Sequence, residues 1–173
     1  MLKTQKRRTF FTYLFISALA LRLFTSFCVI YFEMGEDGYL VGNSKKFDRI
    51  AWSTIKNNKP ISSITFGYPV SIRLFALSYK LFSRDRQNRM VPLVMLSLIG
   101  ALVAVLVAYF GMVFFGDYIG KCAGIITVLL PEAVFHSSTL LRGPILVLGI
   151  GLVLYAFTKY KEKKFFDFYI FGT

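Results

Sequence analysis

The residues best suited to chemistry form a short polar stretch at positions 35–39, with the sequence Gly-Glu-Asp-Gly-Tyr, directly after a long apolar run over residues 10–32. Two acidic residues and two glycines indicate that the chain leaves the apolar layer here. A carboxylate held partly beneath a membrane surface is usually retained for function, because burying its charge is costly. We therefore interpret Asp37 as the most reactive group and the helices that follow as a frame for a lipid-linked substrate. The alternative is a turn residue, since Asp-Gly is a frequent turn pair.

The composition favours a membrane protein. Hydrophobic residues make up 55% of the 173 residues and charged residues 17%, with a mean hydropathy of +0.58. Soluble domains usually have roughly 45–50% apolar and about 25% charged residues. Because the apolar residues come in blocks, the predicted fold class is an all-α, polytopic transmembrane helical bundle. In such a protein the net charge of +12 indicates anionic lipid headgroups or a phosphorylated lipid as partners, and no nucleic acid.

Four membrane spans are predicted, at about residues 10–32, 90–115, 121–138 and 143–158. The basic cluster in residues 3–8 places the N-terminus in the cytoplasm, and the lysines of residues 159–164 place the tail there too, which four crossings satisfy. Small residues repeat every fourth position in the second span and predict close helix packing, at Gly100, Ala104 and Ala108. The third span is expected to be kinked or ended at Pro131-Glu132.

The extracytoplasmic loop, residues 33–89, is predicted to hold two amphipathic juxtamembrane helices, at about 43–57 and 70–82. The first is interpreted as an interfacial helix, with an ordinary helix packed on protein as the equal alternative. If residues 66–82 crossed the membrane instead, the lysine-rich tail would lie outside. The ten Lys and Arg residues of this loop argue against an extracytoplasmic position, but charges in long loops orient poorly.

Arg22 lies in the middle of the first span, where a lipid-facing arginine would cost at least about 2.5–3.5 kcal/mol. It should therefore face protein, a cavity or a carboxylate, either as a structural partner of another helix or as a charge that draws a lipid phosphate inward. His136 is the single histidine, and no second ligand lies at metal spacing, so we expect no metal site and no cofactor. Cys28 and Cys122 are expected to be buried thiols.

Short motifs follow one another in a fixed order along nearly the whole chain. They are Ala20-Leu21-Arg22-Leu23, Glu36-Asp37-Gly38-Tyr39, Gly67-Tyr68-Pro69, Lys80-Leu81-Phe82, Arg89, Phe114-Phe115-Gly116, Leu130-Pro131-Glu132 and Leu140-Leu141-Arg142. This order resembles the N-terminal module of GT-C-fold glycosyltransferases, polytopic enzymes that take sugar from a polyprenyl-phosphate carrier. Aminoarabinose transferases of lipid A and protein O-mannosyltransferases are examples. Residues 1–173 are then expected to form one transmembrane module of a longer protein.

The resemblance implies a sugar transfer at the extracytoplasmic face of the plasma or inner membrane. Asp37, with Glu36 as the substitute, would take a proton from the acceptor hydroxyl as it attacks the anomeric carbon, and the lipid phosphate would leave. The candidate residues for the substrate and its phosphate are Tyr39, Arg84, Arg86, Arg89 and Arg142. The implied partners are a polyprenyl-phosphate-linked sugar donor, membrane lipids, and further helices of a longer chain or a partner subunit. The alternative function is a non-catalytic multi-pass membrane protein, either a truncated relic or an assembly partner.

Overall fold

The computed structural model describes residues 2–31, 43–65, 69–83, 86–138 and 143–171, with side chains over 5–31, 46–65, 69–83, 86–138, 143–158 and at 160. Within these ranges the chain forms helices and connecting turns, and no strand occurs. The helices are α1 (Leu2–Tyr31), α2 (Asn43–Lys56), α3 (Pro69–Phe82), α4 (Met90–Phe115), α5 (Asp117–Leu129), α6 (Pro131–Ser137) and α7 (Gly143–Phe171), with a 3₁₀ turn at Ile61–Ser63. The predicted all-helical class is confirmed.

Two of these helices are long and apolar enough to cross a membrane, α1 over Gln5–Tyr31 and α4 over Met90–Phe115. A third crossing is possible if α5 and α6 together form one span, with a bend of 60° between them. The apolar part of α7, Gly143–Thr158, is shorter. The described residues therefore give two to three candidate spans.

Helix α4 is the centre of the molecule, and its small residues explain why. The predicted seam is buried: Ala104 and Ala108 pack in one cluster with residues of α1 and α5, and Gly100 faces Arg22 of α1 and Ser137 of α6. Gly124 of α5 lies close to Ala108, and Leu14 of α1 closes the same contact. Because the glycines and alanines at these contacts carry at most a methyl group, the helices approach each other closely.

The bend between α5 and α6 follows from Pro131. A proline has no N–H, so the carbonyl of Thr127, four residues earlier, loses its helical partner. Helix α5 ends at Leu129, and α6 begins at Pro131, which occupies the first turn where its missing donor costs nothing. The predicted kink at Pro131-Glu132 is thus confirmed, and it leaves one carbonyl free for another donor.

Helices α2 and α3 pack together on the N-terminal end of α4. Phe47 and Ala51 of α2 join Phe75 and Tyr79 of α3 and Leu96 of α4 in one buried cluster. The apolar face of α2 is therefore covered by protein, which favours packing over the interfacial interpretation for this face. On α3 the opposite side is exposed and apolar, at Val70, Leu77, Leu81 and Phe82.

Both cysteines are free and only partly buried. Cys28 and Cys122 are therefore less buried than predicted. No disulfide joins any pair of the described residues.

Candidate functional site

Five of the seven predicted site residues, Glu36, Asp37, Tyr39, Arg84 and Arg142, lie outside the described residues. The two described members are Arg86 and Arg89, which precede α4 and are both exposed.

Arg89 forms an ion pair with Asp48. Its Nε lies 3.3 Å from a carboxylate oxygen of Asp48, and its side chain keeps 52% of its surface exposed. Asp48 also accepts a hydrogen bond from Gln87 Nε2 at 2.8 Å and one from the Tyr79 hydroxyl. These four side chains connect α2 and α3 to the residues that precede α4. We call them the Asp48 cluster: Asp48, Tyr79, Gln87 and Arg89.

Asp48 is 3% exposed and was not among the predicted site residues. Its burial could have been predicted from helical spacing. At about 100° per residue, Asp48 falls between Phe47 and Trp52 on the apolar face of α2. An acid in that position needs partners, since an unpaired buried carboxylate is costly. Burial, followed by the hydrogen bond and negative charge of Asp48, raises the pKa of Tyr79 well above its ordinary value. The Tyr79 hydroxyl therefore remains a donor at neutral pH.

The helix ends that flank the undescribed site residues lie at one end of the bundle. Ser26 near the end of α1 is 3.2 Å from Ser97 near the start of α4. Ser138, just after α6, donates to the carbonyl of Arg22 at 3.1 Å, and Ile145 at the start of α7 packs beside the α3–α4 cluster. The segments that contain Asp37, the arginines before α4 and Arg142 all join helices at this end.

The other end of the bundle holds the N-terminal part of α1 and the α4–α5 turn. Arg7 forms an ion pair with Asp117 at 2.6 Å. Gly116 makes the turn with a φ of 93°, a left-handed conformation that glycine adopts without a steric penalty. Helix α4 therefore runs antiparallel to both α1 and α5.

Arg22 lies between these two ends with only 1% of its surface exposed. Its Nε donates to Ser137 Oγ at 2.8 Å, Nη1 to the carbonyl of Ala18 at 3.1 Å, and Nη2 to the carbonyl of Thr127 at 3.4 Å. The Thr127 carbonyl is the one that Pro131 leaves without a helical donor. Arg22 therefore joins α1, the end of α5 and α6, which gives it the structural role predicted as one of two alternatives.

A cavity of about 430 Å³ opens beside Arg22. Its wall includes Gly100, where an added Cβ would lie 2.7 Å from Arg22 Nε, so only glycine leaves room for the guanidinium. Glu132 and His136 of α6 also line it, with Glu132 Oε1 and His136 Nε2 3.6 Å apart and with side chains 78% and 47% exposed. The remaining lining residues are Val103, Thr127, Leu130, Ala133, Ser137, Gly143, Pro144 and Val147. The cavity thus combines a buried cation with a predominantly apolar wall.

Within the described part of the chain, no three His, Cys, Asp or Glu residues come together as a potential metal site. Comparisons with protein-family models, with curated proteins and with solved structures give no match. The family resemblance therefore stays a prediction, to be weighed with the geometry above.

Proposed function

We propose that the chain is the membrane module of a glycosyltransferase that uses a polyprenyl-phosphate-linked sugar at the extracytoplasmic face. One observation carries the proposal. Every segment that contains a candidate catalytic or phosphate-binding residue joins helix ends at the same end of the bundle. The ordered motifs of the sequence provide the substrate class.

The proposal includes four crossings with the N-terminus in the cytoplasm, formed by α1, α4, the α5–α6 pair and α7. The bend at Pro131 is compatible with a single span, because broken helices occur in membranes where the freed backbone groups find partners. Here Arg22 provides one such partner at Thr127. Helix α7 has 29 residues, but its apolar part, Gly143–Thr158, extends only about 24 Å at 1.5 Å per residue, so its crossing requires local thinning of a hydrocarbon layer of about 30 Å.

The chemistry assigned to this end is general base catalysis. Asp37 accepts the proton of the acceptor hydroxyl, the acceptor oxygen bonds to the anomeric carbon, and the sugar–phosphate bond breaks with its electron pair on the lipid phosphate. A positioned base contributes roughly 10²–10⁴ in rate. Nearby arginines stabilise the charge that develops on the phosphate, and their planar fork suits its oxygens. Arg86 is the more available of the two described arginines, because Arg89 is paired with Asp48.

The test is sugar transfer by Asp37→Asn in the full-length protein, using polyprenyl-phosphate sugars labelled in the sugar. Asp117→Asn is the matched control, because Asp117 is a carboxylate at the opposite end of the bundle. We expect Asp37→Asn to lose at least about a hundredfold in rate, as removal of a general base predicts, and Asp117→Asn to keep its rate. Near-normal transfer by Asp37→Asn at normal expression would remove Asp37 from the mechanism.

The second candidate function is a non-catalytic membrane protein, such as an assembly partner. The observation in its favour is that Arg22 and Arg89 both have protein partners that account for their positions. This function requires that the purified protein neither transfers sugar nor binds a lipid phosphate. Either activity in a reconstituted sample would exclude it.

A further inference from the structure

We propose that α3 stands upright in one leaflet of the membrane, on the Met90 side of α4, and ends about halfway across the bilayer. Its partner is the hydrocarbon of the lipid acyl chains. They cover an apolar stripe on the helix, the α3 stripe, formed by Val70, Leu74, Leu77 and Leu81. The inference is independent of sugar transfer, because it concerns only how this helix meets the bilayer.

Helix α7 leaves the first part of α4 uncovered. Gly143 at the start of α7 lines the same cavity as Gly100, and a Cβ added at Gly151 would lie 3.0 Å from Leu106 Cδ1. Helices α4 and α7 therefore run parallel, and α7 begins beside Gly100. At 1.5 Å per residue, Gly100 lies about 15 Å along α4 from Met90, which is half of a hydrocarbon layer of about 30 Å.

Helix α3 packs along this uncovered length of α4. Its buried face lies in one cluster with Leu93 and Leu96 of α4. Near its C-terminal end, Tyr79 belongs to the Asp48 cluster, which includes residues that directly precede α4. Its first residues, 69–71, line a groove of about 540 Å³ together with residues of α7 in the range 145–154. Helix α3 therefore runs antiparallel to α4, from the beginning of α4 to the upper part of α7.

The α3 stripe lies on the side of the helix that no described residue covers. Val70, Leu77 and Leu81 are 63%, 43% and 61% exposed, and their spacing places them on one face. The groove continues this face onto α7, where Ile150 and Val153 are also exposed. A continuous apolar surface of this kind loses about 25 cal/mol per Å² when it faces water, whereas acyl chains cover it without that cost.

The charges of α3 fit the same orientation. Lys80 lies near the Met90 side and lines a depression with Lys59, so two cations stand at the level expected for anionic headgroups. Arg73 is the other charged residue of α3. It lies off the stripe and donates to the backbone carbonyls of Ser62 and Ile64, which satisfy its guanidinium within the protein.

The test measures the depth of nitroxide labels on the full-length protein in nanodiscs that contain anionic lipid. Single cysteines replace Val70 or Leu81 in a variant with Cys28 and Cys122 changed to Ser. Collisions with O₂, which concentrates in hydrocarbon, are compared with collisions with a water-soluble nickel chelate. Positions 70 and 81 are about 16 Å apart along the helix at 1.5 Å per residue. We expect the label at 70 to lie deeper by at least about half of that distance.

Three further labels calibrate this measurement. Val94 and Leu102 of α4 are 37% and 44% exposed and provide a depth scale along a candidate span. Ser53 lies between Arg49 and Lys56 on the polar side of α2 and is the control for exposure to water. We expect the label at 70 to be deeper than the one at 94, and the label at 53 to collide mainly with the nickel chelate.

Tryptophan fluorescence gives a second measurement that needs no nitroxide. Trp52 is the single tryptophan of the chain, so Trp52→Phe allows Val70→Trp and Leu81→Trp to be read one at a time. Lipids brominated near the end of the acyl chain should quench the tryptophan at 70 at least twice as strongly as the one at 81.

Three results would overturn the inference. Equal depth at positions 70 and 81 would show that α3 lies flat on the surface. Preferential access of the nickel chelate to both positions would show that the stripe faces water. Exclusion of both O₂ and the chelate would show that a second copy or another part of a longer chain covers the stripe. The proposed transferase has a separate test, because sugar transfer can be present or absent with α3 at any depth.

Discussion

Arg22 shows how much the type and position of a single residue can predict. An arginine in the middle of a 27-residue apolar helix has to find polar partners within the protein, and its place in the sequence is sufficient for that expectation. Its main partner on α5 could not be predicted in the same way. The Thr127 carbonyl is available only because Pro131 breaks the helix, and the Arg22 side chain fits against α4 only because Gly100 carries no Cβ there.

Asp48 illustrates the opposite case, an acid whose role the apolar pattern around it conceals. Phe47 and Ala51 lie on the apolar face of α2, and Asp48 at the side of that face is buried with them. The identity of its partners depends on the docking of α3 and on the path into α4. Neither is encoded in the spacing within α2.

Replacement of Tyr79 by Phe should destabilise the protein at neutral pH by about 1.5–3 kcal/mol, the usual contribution of a hydrogen bond to a charged group. The folded protein raises the pKa of Tyr79, so this stabilisation is complete below the unfolded value of about 10 and declines as the pH rises above it. Chemical unfolding in detergent at pH 7 to 11 measures the difference between the two proteins.

The difference between Tyr79→Phe and the unmodified protein should therefore shrink above about pH 10. Tyr118→Phe is the control, because Tyr118 is 81% exposed, and it should have no effect at neutral pH. A difference for Tyr79→Phe that stays constant or grows at alkaline pH would contradict the assigned role of its hydroxyl in the Asp48 cluster.

At the scale of helices, the sequence largely predicted where the helices begin and end, but not which residues pack against them. The apolar run at 90–115 became α4, and the amphipathic stretches near 43–57 and 70–82 became α2 and α3. The pattern of α2 suits a membrane surface and a protein surface equally well, because both offer one apolar side. Only the contact with Phe75, Tyr79 and Leu96 distinguishes the two.

The close contact between α4 and α5 gives an element-scale prediction, the effect of Gly120→Ala. The new Cβ would lie 2.7 Å from the carbonyl oxygen of Ala108 and closer still to the backbone nitrogen of Met112. Because backbone atoms cannot move aside as a side chain can, the helices must separate, at a cost of about 1–3 kcal/mol. Thermal unfolding in detergent should show a lowered midpoint.

Gly149→Ala is the control for this substitution, since a Cβ at that position of α7 meets nothing within 4 Å. Alanine is the better helix former by up to about 1 kcal/mol, so the midpoint should stay the same or rise slightly. Equal effects of the two substitutions would show that the α4–α5 contact is looser than described.

For the whole molecule, composition and hydropathy were sufficient to predict an all-helical chain with helices apolar and long enough to cross a membrane, because hydrocarbon requires every backbone polar group to be satisfied within a helix. The number of crossings was harder to predict. The α5–α6 pair is broken by Pro131, and the apolar part of α7 is shorter than a usual span, so length alone leaves two to three candidates. Asp37 and most of its proposed companions lie in segments between the described helices, where spacing predicts no contacts.

The most direct test of the central claim is a labelling experiment that determines on which side of the membrane the proposed site lies. In a variant with Cys28 and Cys122 replaced by Ser, single cysteines at Asn58, on the α2–α3 connection, and at Tyr118, at the opposite end, would be exposed to a membrane-impermeant thiol reagent in intact cells. We predict labelling at position 58 and protection at position 118 until the cells are opened. Protection at 58 with labelling at 118 would place the Asp37 end in the cytoplasm and contradict the proposed extracytoplasmic transferase.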